Sequence, residues 1–436
     1  MRFNWGLPVA VAALGLAGAV ATGCQTYDFE PVVPRAVGVE TVSRDVEATV
    51  SPPNLMILLD KSDSMDRPED PSLAACKTGP NPEDICGVIG NPPCDEVSCP
   101  TRLSRLQEAI DAFLAPRPDG TYPFRVALAA YPIQGQCSPT PRTFVDFPEG
   151  DDRTVLAAKA SEVNAVIQAI QARTGADNDF QDDETAGGTP TAESLRFLYS
   201  SVEELRDTSG GRNSFVLLLT DGLPNCNENH PVTPETCQCV LADPSLCFTG
   251  SGIPTGCLDD VNSISAVTEL AGVNVSTIVV GMGSETGEGL GPETLDAMGA
   301  AGGFVRSCQS DADCGSGDSC DLTGVTGNED GVCERRFFQA SDGAALTAAL
   351  DQIANAIIGD PCKLQFETAP ESNELIFVKV NDQIVESEAN GTVNWTFDPD
   401  ASPKPTLTFH GEICETIESS TKDNPVPVKV SLVQAP

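Results

Sequence analysis

Four mainly apolar runs mark the first two thirds of the chain: 55–59, 124–131, 215–219 and 275–280. Runs of this length without polar alternation suit strands that are covered on both faces of a sheet. Between them the apolar spacing changes to that of a helix. Leu103, Leu106, Ile110 and Phe113 share one face, as do Val163, Val166, Ile167 and Ile170. Leu195, Leu198, Val202 and Leu205 mark a third helix, and Leu346, Leu350, Ile353 and Ile357 the last. Strands alternating with amphipathic helices predict an α/β domain with a doubly wound, mostly parallel, Rossmann-like sheet. Past residue 360 the helical spacing stops. Strand-like stretches at 375–380, 392–397, 406–409 and 428–433 predict a small C-terminal β module over 361–436.

The start of the chain reads as an address and a tether. Arg2 precedes a short stretch over 7–21 built of small and apolar residues, too short for a spanning helix and typical of an export signal. It ends in Ala21-Thr22-Gly23-Cys24, which resembles a bacterial lipobox. That resemblance implies cleavage of residues 1–23 and acylation of Cys24. Residues 24–52, with Pro31, Pro34 and Pro52 among scattered charges, are expected to be a tether. The α/β domain then covers 53–360. No later run is long and apolar enough to cross a bilayer, so contact with the membrane is expected through the lipid alone.

Charge and cysteine narrow the choices. With 25 Lys+Arg against 64 Asp+Glu the net charge is −39. Such a field repels nucleic acid, so nucleic-acid partners are excluded, and it favours divalent cations. Of the 17 cysteines, all but Cys24 form an even set. In an exported chain they are expected to pair, and their spacing does not fit zinc sites. Most of them crowd three loop insertions, at 66–100, 222–257 and 307–334. Long loops need staples to stay ordered, and these carry them. Cys362 and Cys414 are alone in the β module and are expected to pair with each other.

The candidate chemistry sits at strand ends. Asp60-Lys61-Ser62-Asp63-Ser64 follows the first apolar run directly. Gly187-Gly188-Thr189 opens the third helix, and Thr220-Asp221-Gly222 follows the third run. In open α/β sheets ligands bind at the carboxyl ends of strands where the strand order reverses. Two carboxylates converging there on hydroxyls make an oxygen-only site for a small hard cation such as Mg2+. Enzymatic readings have little support. His230 and His410 stand apart from any Ser or Cys nucleophile. The glycines of 281–287 are spaced GxGxxxG, which does not fit a dinucleotide loop and suits a tight strand-end turn.

Those three motifs together resemble the metal-ion-dependent adhesion site of von Willebrand factor A and integrin I domains. The resemblance implies that Asp60, Ser62, Ser64, Thr189 and Asp221 form the metal site, with Ser62 and Ser64 on the ion and Thr189 and Asp221 on it directly or through water. It implies Mg2+, with Mn2+ or Ca2+ as substitutes. At Asp63 the family commonly has Gly, so an extra acidic group is expected near the ion. Residues 24–29, Asp311-Ala312-Asp313-Cys314, Arg336-Phe337-Phe338-Gln339-Ala340 and Cys362 with His410-Gly411 and Cys414 are similar to lipoproteins of gliding soil bacteria. That wider resemblance implies an outer-membrane, lipid-anchored adhesin on the cell surface, not an enzyme. It would bind the substratum or an acidic protein ligand and meet outer-membrane and periplasmic proteins of a gliding motility complex. The alternatives are a chelatase-like subunit, disfavoured by export and by the lack of an ATPase partner domain, and a structural envelope lipoprotein whose ion only stabilises the fold.

Overall fold

A computed structural model describes residues 43–46 and 52–434, apart from 82–83, 89, 117–119, 121, 134–136, 174–182, 186, 207–211, 227–231, 242–244, 246, 249–253, 316, 324–330, 359–361, 367–369, 371–373, 400–404 and 419–425. The export signal and Cys24 lie outside the described residues. Within them, no helix is long and apolar enough to cross a membrane.

In chain order, β1 (Ser43–Val46) and β2 (Asn54–Asp60) precede α1 (Arg102–Leu114), β3 (Arg125–Tyr131) and α2 (Arg153–Gln168). Then come α3 (Thr191–Ser201), α4 (Glu203–Arg206), β4 (Ser214–Thr220), α5 (Asp260–Ala271), β5 (Val275–Met282) and α6 (Gly291–Ala301). A small insert holds β6 (Ser307–Cys308), α7 (Asp311–Cys314), β7 (Cys320–Asp321) and β8 (Gly331–Cys333), followed by β9 (Phe338–Ala340) and α8 (Gly343–Ile358). The five-stranded central sheet runs β3-β2-β4-β5-β9, and every pairing in it is parallel.

The apolar runs explain why this sheet is buried on both sides. Along β2, Leu55, Ile57 and Leu59 point into one core with α1, α2 and α8. Met56 and Leu58 point into the other, with α3, α5 and α6. Successive side chains of a strand alternate faces, so a fully apolar strand must be covered twice. This is the doubly wound α/β architecture expected from the sequence. The order in which strands are added reverses beside β2: β3 lies on one flank and β4 on the other. The carboxyl ends of β2 and β4 therefore frame a crevice.

Every described cysteine is in a disulfide. Cys76–Cys99 and Cys86–Cys94 close the first insertion, Cys237–Cys257 and Cys239–Cys247 the second, and Cys308–Cys320 and Cys314–Cys333 the third. Cys137–Cys226 joins the segment after β3 to the loop after β4. At the base of the third insertion Arg306 makes a buried pair with Asp318 at 2.9 Å, which fills the place of an apolar core.

The C-terminal module contains β10 (Lys363–Gln365), β11 (Glu374–Val380), β12 (Gln383–Val385), β13 (Glu388–Ala389), β14 (Thr392–Val393), β15 (Trp395–Asp398), β16 (Thr406–Phe409), α9 (Gly411–Glu418) and β17 (Val428–Gln434). Its core gathers Leu364, Phe366, Val378, Val380, Leu407, Phe409, Val430 and Leu432. Cys362–Cys414 ties α9 to the start of the module.

Two expectations change here. The tether of 24–52 is too long by at least one strand, because residues 43–46 form β1, antiparallel to β17, at the edge of the module's four-stranded sheet. An edge strand has one paired side and tolerates polar residues such as Ser43, Arg44 and Asp45, so no apolar signal announced it. The module is also not purely β: α9 occupies 411–418. In the main domain α5 and α6 escape the helical reading. Their buried stripes are short and rich in Ala, Gly, Ser and Thr.

The Cys137–Cys226 bond closes a separation of 89 residues. Replacing both cysteines by Ser is expected to lower unfolding stability by about 2–5 kcal/mol, read from denaturant midpoints. Thiol counting on the native chain is expected to find the described cysteines unreactive.

Candidate metal centre

The site is assembled from three loops at the carboxyl edge of the sheet. β2 ends on Asp60, which is fully buried. Its Oδ1 accepts from the backbone N–H of Ser62 at 2.8 Å, and its Oδ2 accepts from Thr220 Oγ1 at 2.6 Å. Asp60 thus fixes both the turn that follows it and the end of β4. The turn tightens into a 3-10 helix over Asp63–Asp66 with Ser62 as its N-cap. Ser62 Oγ and Ser64 Oγ lie 2.9 Å apart, and Ser64 Oγ donates to Asp221 Oδ1 at 2.8 Å.

Thr189 enters from the loop before α3. Its N–H donates to Asn225 Oδ1 at 2.8 Å, and the backbone N–H of Asn225 donates back to Thr189 O at 3.0 Å. Gly187, at φ +76°, provides the bend, and its carbonyl accepts from the N–H of Asp63 at 3.0 Å. A Cβ added at Gly222 would lie 3.7 Å from Ser64 Oγ and 4.0 Å from Thr189 Oγ1, so these hydroxyls face one another across that glycine. The structure therefore brings Asp60, Ser62, Ser64, Thr189 and Asp221 together in a single crevice.

The donor set fits a hard divalent cation. It offers two carboxylates and three hydroxyls, all oxygen, and both carboxylates are shut away from solvent. Two buried anions so close are costly without a cation. Accordingly burial, with the charge of Asp221 adding to it, pushes the Asp60 carboxyl up to about 7. Among the described residues no thiol or imidazole joins this cluster, which disfavours soft-metal chemistry.

Several neighbours were given no role by sequence. Thr220 and Asn225 position the ligands as described. Arg102 Nη1 lies 2.8 Å from Asp221 Oδ2 and 3.2 Å from Glu285 Oε2, and Arg67 Nη1 reaches Glu285 Oε1 at 3.1 Å. Burial opposes the charge on Arg102, but Asp221 and Glu285 raise its hold on the proton above the ordinary value. Arg102 left a trace in the sequence: it falls on the same helical face as Leu106, Ala109 and Phe113, where a charge needs a buried partner. Asp63 does not stand free beside the hydroxyls, since Arg173 Nη1 pairs with it at 3.0 Å. Burial nevertheless raises its carboxyl above the usual range.

No protein-family model and no curated protein matches the chain. Among solved structures it is similar to the pilus adhesin SpaC of Lactobacillus rhamnosus GG, at 14% identity and TM-score 0.39, over 89% of this chain and 40% of that one. It is similar to proximal thread matrix protein 1 of the mussel byssus with a zinc-occupied MIDAS motif, at 11% identity and TM-score 0.31, over 73% and 50% of the two chains. A third is the manganese-loaded TRAP protein of Plasmodium vivax, at 14% identity and TM-score 0.26, over 55% and 60%. The chain thus spans about two fifths of the pilus adhesin's length.

In the ion-free protein a cation competes with the proton on Asp60, which leaves at about 7. Apparent Mg2+ affinity, followed by calorimetry, is expected to rise about tenfold per pH unit below that value and to level off above it. Ion-free stability runs the other way. The folded-state value lies above that of an unfolded Asp, so this group's contribution is full below about 4 and is lost as pH rises through about 7. Asp60→Asn should remove both slopes, and an affinity independent of pH would detach Asp60 from the ion.

Proposed function

We propose that this chain is a lipid-anchored, surface-displayed adhesin that grips an acidic group of its ligand through a divalent ion held by Asp60, Ser62, Ser64, Thr189 and Asp221. The observation that carries this reading is the convergence of two buried carboxylates and neutral hydroxyls at the mouth of the crevice between β2 and β4. A bound Mg2+ would supply an electron-poor centre with a coordination position open to a carboxylate. The chain's own part is to hold the ligands. Asp60 fixes the serine turn, Thr220 fixes Asp60, and Asn225 fixes Thr189. Because the hydroxyls carry no charge, they leave the ion's field unspent for a partner's anion.

Anchoring through Cys24 rests on the lipobox resemblance, and location at the outer membrane on the wider resemblance to lipoproteins of gliding bacteria. The finer resemblance is to the adventurous-gliding motility lipoprotein CglB. It supports a role in joining envelope motility proteins to the substratum, with Mg2+ as the ion and no catalytic step. Under the second reading, a structural envelope lipoprotein, the ion would matter for the fold alone.

Attachment and gliding of cells carrying Asp60→Ala separate these readings, with surface abundance measured in parallel. Adhesion is expected to fall to near background at normal abundance. Ser62→Ala, Thr189→Ala and Asp221→Ala should weaken it to smaller degrees. Normal attachment would leave the ion a structural accessory. For the anchor, Cys24→Ser should move the protein out of the lipid-modified membrane fraction, because acyl chains give stable retention and none remain. Full retention with the signal removed would sink the lipobox reading.

A further inference from the structure

The metal centre already contains a permanent cation. The Thr101 capping box starts α1 so that Arg102 is its first residue: Thr101 Oγ1 accepts from the N–H of Ser104 at 3.1 Å, and Ser104 Oγ accepts from the N–H of Thr101 at 2.9 Å. From there the guanidinium turns into the crevice and is 8% exposed. Its Nη1 lies 2.8 Å from Asp221 Oδ2, 3.5 Å from Asp221 O and 3.2 Å from Glu285 Oε2. Space for it is left by Gly283 at φ +74°, where an added Cβ would lie 3.3 Å from Arg102 Nε. Nε itself is buried without a hydrogen-bond partner among the described residues. The side chain is thus placed for charge on the carboxylates of Asp221 and Glu285, and not for the fullest set of hydrogen bonds.

Counting charges shows what this does. Asp60 and Asp221 together would neutralise a divalent ion. Arg102, on the far oxygen of Asp221, adds one positive charge in a buried setting. Asp63 is balanced by Arg173, and Glu285, 48% exposed and shared with Arg67, offsets Arg102 only from the solvent-screened rim.

We propose that Arg102 is the positioning residue of this centre, a built-in counter-ion that orients Asp221 and keeps the ion-loaded pocket net positive, so that the divalent ion binds weakly alone and more tightly together with an acidic ligand. The proposal rests on the reading that the crevice holds a divalent ion. It assigns the partner's contribution by charge: an anion completes the balance that the pocket leaves open.

The test is Mn2+ binding to the full-length chain, read from the paramagnetic resonance of free Mn2+, with and without acetate as the anionic probe. A charge this close in a buried site changes ion affinity by roughly tenfold or more. Arg102→Gln is therefore expected to tighten Mn2+ about tenfold and to shrink the gain in affinity that acetate brings. Glu285→Gln removes the opposing charge and should act in reverse, weakening Mn2+ and enlarging the acetate effect. Arg102→Lys keeps the charge and should stay near the parent. If Arg102 only held Asp221 in place, Arg102→Gln and Arg102→Lys would both weaken Mn2+ and Glu285→Gln would change little; that pattern overturns the proposal. Should Arg102→Gln not fold, Glu285→Gln decides, and unchanged or tighter Mn2+ binding there overturns it. Absence of Mn2+ binding by the parent chain would defeat the metal-centre reading itself, and is visible before any variant is compared.

Discussion

Two carboxylates, Asp60 and Asp221, are fully buried at adjacent strand ends, and the rest of the site is arranged around that electrostatic constraint. Buried anions must be paired, bonded or protonated. Asp60 is bonded by the Ser62 N–H and the Thr220 hydroxyl, and its proton affinity rises regardless. Asp221 is bonded by Ser64 and paired with Arg102. The partners come from the turn after β2, the end of β4 and the start of α1, so satisfying the two charges also fixes the relative positions of those elements.

The loops are long, and the disulfides make that tolerable. The first and second insertions follow β2 and β4, the two strands that carry the carboxylates, and each is closed by its own pair of bonds. Cys137–Cys226 then clamps the second insertion to the segment after β3, five residues beyond Asp221. A covalent frame around an electrostatically expensive crevice limits the ways in which the ion-free site can spread. In the third insertion the same device, helped by the buried Arg306–Asp318 pair, replaces a hydrophobic core that so short a segment could not build.

Residue patterning alone carried the architecture and pointed to the strand-end carboxylates, whereas the full ligand set came with the family resemblance. The runs at 55–59 and 215–219 have no polar alternation, so they demand cover on both faces, and a parallel sheet is the usual answer. The residues that follow them turn polar because the strands end at the crevice, which is why Asp60 and Asp221 stand out. The helical stripes of α1, α2, α3 and α8 were legible because Leu, Ile, Val and Phe repeat at helical spacing over at least two turns. The stripes of α5 and α6 were not, since small residues suffice where helix and sheet approach closely. β1 stayed hidden because its strand character comes from pairing with β17, nearly 400 residues away, and not from its own side chains.

What only the tertiary structure decided was which charges meet. Nothing local links Arg102 to Asp221, Glu285 to Arg102, or Arg173 to Asp63, because each pair is joined through the order of strands in the sheet. The sequence specified that acidic and hydroxyl oxygens gather at the ends of β2 and β4, since strand ends and turn residues are written in local patterns. It was silent on the cation beside them and, Cys362–Cys414 apart, on which cysteines pair, because contacts between distant segments depend on chain topology, which local patterning constrains only in part.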